Sequence, residues 1–185
     1  LMVIAPAHHR RIQAGILSWG QDLDHEHNPF QCNLGYQVSL SGKGEWAKKG
    51  DYIGKQALEK MKADLKDGHK PYKLQLVGFE IGGKPIDEYA PDFWLVSPGD
   101  GGDPCGFITS PWYHPEKGKN IAMGYIPFDG TLNPNGFPKW ELGKKFKVHL
   151  PDIYADEPGV PVDAVTVDVP FTESFNANTR EVVKG

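Results

Sequence analysis

The sequence predicts an α+β chain in which N-terminal helices and a linker precede a mainly antiparallel β region. Three observations predict it. Apolar residues recur at helical spacing before residue 70, and short segments of alternating apolar and polar residues take over from Tyr72. Sixteen prolines and twenty-two glycines gather in the gaps between those segments, which is the turn chemistry of an antiparallel barrel or sandwich.

The first element is a helix. Ile12, Ile16, Leu17 and Trp19 form a partly apolar face, with His8, His9, Arg10 and Gln13 opposite, and Gly20 is placed to end it as a C-cap. Residues 21–27 carry three acids and two histidines, a composition that favours a solvated loop. Asn28-Pro29 marks a turn, and residues 34–40 alternate as a half-buried strand does. A glycine- and lysine-rich linker, 41–50, follows. It lacks the closing Gly-Lys-Ser/Thr of a phosphate loop. Ile53, Ala57, Leu58, Met61 and Leu65 then predict an amphipathic helix over 54–65, stopped by Asp67-Gly68.

Strands are expected at 72–81, 93–96, 105–110, 121–126, 145–150 and 162–169. Gly82-Gly83 supplies a hairpin-type turn in front of Lys84-Pro-Ile86, and the loops are 97–104, 129–138 and 151–161. The expected organisation is a helical and linker part over 1–70, a β domain over 71–175 and a polar tail over 176–185. No repeat is visible at any period, which argues against solenoids and propellers.

Composition narrows the partners. A net charge of -4 over 185 residues gives no electrostatic reason to expect nucleic acid or an anionic membrane, and no run of eighteen apolar residues offers a membrane-spanning helix. Cys32 and Cys105 lie far apart without a C-x-x-C motif, which fits reduced thiols in a cytoplasmic protein and leaves a single disulfide open. The start, Leu1-Met-Val-Ile-Ala-Pro6, is apolar but has no basic segment before it, and reads like a chain entered in the middle.

The chemistry-bearing residues are few. Asp22, Asp24, His25, Glu26 and His27 are metal-ligand types, but their spacing is neither that of a zinc finger nor that of H-E-x-x-H, and no metal is expected. His8 and His9 read as exposed polar-face histidines, and both cysteines as small core residues. No G-x-S-x-G is present, and the carboxylates Asp87, Glu88, Asp152 and Glu157 sit in loops without recognisable pairing. Two places suit a ligand. Arg11 and Trp19 flank the first helix, and 110–114, Ser-Pro-Trp-Tyr-His, is an aromatic-rich turn after a strand where a flat group can stack.

Arg11, Ile12, Gln13, Ala14, Gly15, Leu17, Trp19, Gly20 and Asp22, followed by Asn28-Pro-Phe30 and Leu34-Gly35, form a pattern that resembles the aminomethyltransferase (glycine-cleavage T-protein) superfamily. Asp51-Tyr-Ile-Gly-Lys-Gln-Ala-Leu58, Cys105-Gly-Phe-Ile-Thr-Ser110 and Asn120-Ile-Ala-Met-Gly-Tyr125 are similar to three further motifs of that family, in the same order. The resemblance implies a β-barrel at 71–175 and a chain that is the C-terminal part of a larger enzyme, its partner being the N-terminal remainder of the same polypeptide. It also implies tetrahydrofolate as cofactor, with Arg11, Trp19, Tyr113 and His114 as candidate contacts and no catalytic residue in this chain. Gln13 stands where the motif has Glu, which removes a charge from that position.

Within the superfamily, residues 16–22 with Asn28-Pro-Phe30, the inserted segment 41–50 and the long loops 112–120 and 133–140 resemble tetrahydrofolate-dependent O-demethylases of methoxy-aromatic acids such as vanillate and syringate. The alternatives are an aminomethyltransferase or a dimethylsulfoniopropionate-type demethylase, and, from another class, a non-catalytic β-barrel interaction module.

Overall fold

The computed structural model describes residues 7–40 and 51–171. The apolar start, the 41–50 linker and the 176–185 tail therefore lie outside the described residues. Two compact units are built from interleaved stretches of chain. One comprises 7–24, 77–126 and 141–171, and the other 25–40, 51–76 and 127–140.

The first unit contains the β-barrel that the turn chemistry and the family resemblance predict. Six strands, β1 (Leu74–Ile81), β2 (Trp94–Pro98), β3 (Gly106–His114), β4 (Lys119–Pro127), β5 (Lys145–Val148) and β6 (Val162–Val167), close in the order β1-β4-β3-β2-β5-β6. Closure leaves no open sheet edge. The register is antiparallel throughout the pairs β1/β6 (Gly78 opposite Val167), β2/β3 (Trp94 opposite Ile108), β2/β5 (Val96 opposite Val148), β3/β4 (Trp112 opposite Ile121) and β5/β6 (Phe146 opposite Ala164).

Phe79, Val96, Ile108, Ile121, Met123 and Val148 are fully removed from solvent, and Phe79 meets Phe146 edge-on at 5.9 Å. Each such side chain contributes about 1.5–3 kcal/mol by burial. β6 keeps the alternation expected of a strand with one wet face, whereas β1 and β4 are buried over consecutive residues. The alternation expected over 72–81 is therefore not kept in the burial of β1, where Gln75 through Phe79 are all buried.

Several expectations are corrected at the element scale. The first helix, α1 (His8–Gln13), is much shorter than the pattern through Trp19. Gly15, at φ +68, ends it, and the Ile16 N–H turns back to the Arg11 carbonyl at 2.8 Å. A Cβ on Gly15 would stand 2.4 Å from Val169 Cγ1, so only glycine fits this corner. Gly20 instead closes a tight loop, donating its N–H to the Leu23 carbonyl at 2.8 Å.

The strand expected at 34–40 is a 3-10 turn over Gly35–Gln37. Lys84-Pro-Ile86 forms no hairpin partner for β1. Its Ile86 N–H is taken by the Asn120 side chain at 3.0 Å, and β1 pairs with β6 and β4 instead. Residues 110–114 are not a turn but the second half of β3, carried past a bulge between Ile108 and Ser110.

The second unit packs helix α2 (Lys55–Lys66) through Leu58, Met61 and Leu65 onto a cluster of Phe30, Tyr72 and Phe128. The helix stops at Asp67-Gly68 as the sequence predicts. Ile53 and Ala57 are exposed, however, because the helix begins after Ile53 and buries a narrower stripe at i, i+3 and i+7. Asn33, at φ +61, turns the chain before this cluster. It donates to the Leu76 carbonyl at 2.7 Å and accepts from the buried Gln75 amide.

Candidate functional site

The residues of the first motif converge on one buried carboxylate. Asp22 is 1% exposed, and the loop fold that follows α1 carries it against β3. Its Oδ2 accepts from Arg11 Nη1 at 2.7 Å and from the Ser18 N–H at 2.8 Å. Its Oδ1 accepts from the Thr109 and Ser110 hydroxyls, both at 2.6 Å, and its own carbonyl accepts from the Tyr125 hydroxyl at 2.6 Å. A carboxylate has about four lone-pair sites. All are taken.

Asp22 is therefore a strut and not a general base: no lone pair is left to receive a substrate proton. The ring closes through Arg11, whose Nη2 donates to Ser110 Oγ at 2.8 Å while that hydroxyl donates onward to Asp22. The solvated-loop reading of 21–27 fails at this residue, because the charge has a guanidinium, two hydroxyls and a backbone N–H to replace water.

Arg11 has further ties. Its Nη1 also donates to the Ile16 carbonyl at 3.1 Å and its Nε to His8 Nδ1 at 3.3 Å, so among the described residues four of five guanidinium N–H groups are engaged and one on Nη2 is left over. The side chain is 14% exposed. Beside it, Gln21 joins two segments by donating to the Thr109 carbonyl at 2.7 Å and the Ala90 carbonyl at 3.1 Å, while accepting from the Tyr89 hydroxyl.

His8 and His9 are half-buried, not exposed. The His8 ring lies 4.6 Å from Tyr89 and is nearly parallel to Trp112, and His9 meets Trp112 at 6.1 Å. Burial first, and the Arg11 charge second, hold the His8 pKa below the ordinary histidine value, against an opposing pull from Asp22.

The four candidate contacts are thus not equivalent. Arg11 lies inside the ring of hydrogen bonds, whereas Trp19 stands 68% exposed on the loop between Gly15 and Asp22. Tyr113 is half-buried on β3, its N–H donating to the Ile86 carbonyl at 2.8 Å. His114, the next residue, is sealed at 1% exposure. Successive residues of a strand face opposite sides, so Tyr113 and His114 do not present to one pocket. Nε2 of His114 has no hydrogen-bond partner among the described residues, and its Nδ1 accepts the Lys117 N–H at 3.4 Å.

Thr109, Tyr125 and Gln21 were not named as site residues by the sequence, and His8 was read there as an exposed polar-face histidine. The available signal was the pairing of Arg11 and Asp22, opposite charges inside one motif. Cys32 is buried in the second unit and Cys105 half-buried in the first, and burial pushes the Cys105 thiol up, away from nucleophile character. Among the described residues no three His, Cys, Asp or Glu side chains are grouped to hold a metal ion, and no helix is long and apolar enough to cross a membrane.

Comparison with known proteins bears on what this arrangement belongs to. The chain is 32% identical over 117 residues to an aminomethyltransferase of Synechocystis sp., a match covering 63% of this chain and 27% of that protein. It is 29% identical over 162 residues to an aminomethyltransferase of Thermosynechococcus vestitus, covering 87% of this chain and 35% of that one. Among solved structures, the glycine cleavage system aminomethyltransferase T from Bartonella henselae shares the fold over 88% of this chain and 37% of its own, with a TM-score of 0.59 at 20% identity. Aminomethyltransferase likeness is supported by sequence and fold alike. No family model matches the chain. The chain spans about a quarter to a third of the length of the curated aminomethyltransferases it matches.

Proposed function

We propose that this chain is the C-terminal portion of a tetrahydrofolate-dependent one-carbon transferase, with the methyl ether of a methoxy-aromatic acid as donor. The observation that carries the reading is the Arg11-Asp22-Ser110 ring. It joins two of the motifs shared with the aminomethyltransferases, one on α1 and its loop and one on β3, by direct hydrogen bonds. In this reading residues 1–70 complete the folate-binding region and 71–175 form the barrel that braces it.

Folate combines a flat pterin with an anionic glutamate tail. The exposed Trp19 ring and the half-buried Tyr113 ring suit the flat part, and the remaining Arg11 N–H suits the anion. His114 contributes through the strand end it packs into, being sealed from solvent.

An aryl methyl ether gives up its methyl reluctantly because phenoxide is a poor leaving group. The full protein then needs a general acid at the ether oxygen and an in-line approach of folate N5 to the methyl carbon. Asp22 is saturated and does not serve. The acid is assigned to the polypeptide that precedes this chain.

The names of the relatives favour a second reading, an aminomethyl donor. Incubating the longer polypeptide with tetrahydrofolate and vanillate or syringate distinguishes the two. Appearance of 5-methyltetrahydrofolate with an equivalent of phenol supports the first reading, and turnover of an aminomethyl donor alone supports the second.

A further inference from the structure

We propose that His8 is a positioning residue for Arg11, holding its guanidinium through a hydrogen bond that only the neutral imidazole can accept. The Arg11 Nε–H points at His8 Nδ1 at 3.3 Å. An imidazole nitrogen accepts only while it carries no proton, so this contact fixes His8 as the tautomer protonated on Nε2. The ring is held in place from two sides, by Tyr89 with centroids 4.6 Å apart and by Trp112 at 6.4 Å with planes 12° apart.

The charged and titratable groups around His8 come from each element packed there. Arg11 and His9 are on α1, Asp22 on the following loop and Tyr89 on the segment before β2, while β3 presents the uncharged Trp112. Protonation at Nδ1 would set one N–H against another and place a second positive charge beside the guanidinium. Asp22 attracts that charge, but its oxygens are already saturated by four donors. Burial and Arg11 together lower the His8 pKa, in keeping with a site built for the neutral ring.

On acidification Arg11 therefore loses its Nε anchor while keeping its Asp22, Ser110 and Ile16 bonds. The guanidinium shifts about those contacts, and its unengaged Nη2 N–H is re-aimed. This has a functional consequence only through the folate reading above, in which that N–H meets the anionic tail.

The test follows the Arg11 Nε–H and the His8 ring by NMR in the 185-residue chain from about pH 8 to about pH 5, a range spanning histidine titration. The expected result is that both signals move with one midpoint, lying below 6.5. H8Q, whose side-chain carbonyl accepts without titrating, should hold the Arg11 signal at its high-pH position throughout. H8F should abolish the transition while keeping the ring stack, and H9Q should leave it intact.

An Arg11 signal that stays still while His8 titrates, or that moves alike in H8Q, overturns the proposal. Neither readout needs a ligand. Folate affinity that falls several-fold on acidification in the native chain but not in H8Q would extend the latch to binding. An intact NMR transition without folate binding would support the latch and count against the folate reading alone.

Discussion

The Asp22 carboxylate gathers four donors from three separate stretches of the chain. Replacing Asp22 with Ala removes a carboxylate that four donors share and leaves the largely covered Arg11 guanidinium without its paired anion. Breaking a buried pair in this way costs about 3–5 kcal/mol. Asp22→Ala should therefore lower the urea midpoint sharply without changing the slope, and a change under about 1 kcal/mol would contradict the strut assignment. His8 adds a pH dependence. Its folded pKa lies below the unfolded value near 6.5, so the unfolded chain binds more protons in between. Stability is full above that window and declines as pH falls through it. H8Q should flatten this part of the pH–stability curve, and chemical denaturation at several pH values reads it out. Arg11 and Asp22 stand out in the sequence as opposite charges inside one motif, but the saturation of Asp22 was not legible, because it depends on Thr109 and Ser110 arriving from some ninety residues away.

Corners with no room for a side chain set where elements begin and end. Gly15 stops α1, and Gly106 starts β3 so close to β4 that a Cβ would stand 2.0 Å from the Tyr125 carbonyl oxygen. Gly106→Ala must push the two strands apart at this pairing and displace Tyr125, whose hydroxyl holds the Asp22 carbonyl. The expected outcome is a loss above about 3 kcal/mol, the range of severe local disruptions, measurable by thermal or urea unfolding. Leu65→Ala in α2 should cost about 2–5 kcal/mol, since Leu65 is 2% exposed against Phe30, Tyr72 and Phe128. Ile53→Ala, on a fully exposed side chain, should be nearly silent. The strands were legible because their apolar runs and turn residues are local signals. The short α1 and the 3-10 turn at Gly35–Gln37 were not, because contacts distant in sequence settle them: Val169 crowds Gly15, and Phe137, together with the nearby Phe30, crowds Gly35.

At the scale of the whole molecule, the sequence predicts seven strands and six of them close into a barrel, with 34–40 turning as a 3-10 segment instead, boundaries shifted by a few residues and 110–114 moved from turn to strand. Closure itself had no signature in any single segment. It requires β6 to return to β1, a pairing between residues some eighty positions apart. The functional reading rests on motifs that resemble those of aminomethyltransferases and on sequence similarity to such proteins, while the donor is assigned by resemblance alone. Calorimetric titration of tetrahydrofolate, into this chain and into the longer polypeptide with its preceding part restored, tests the central claim most directly. The account predicts saturable one-to-one binding by the longer protein, weakened at least tenfold, about 1.4 kcal/mol, by R11A or W19A. No binding in either form would contradict it and leave the barrel as an interaction module.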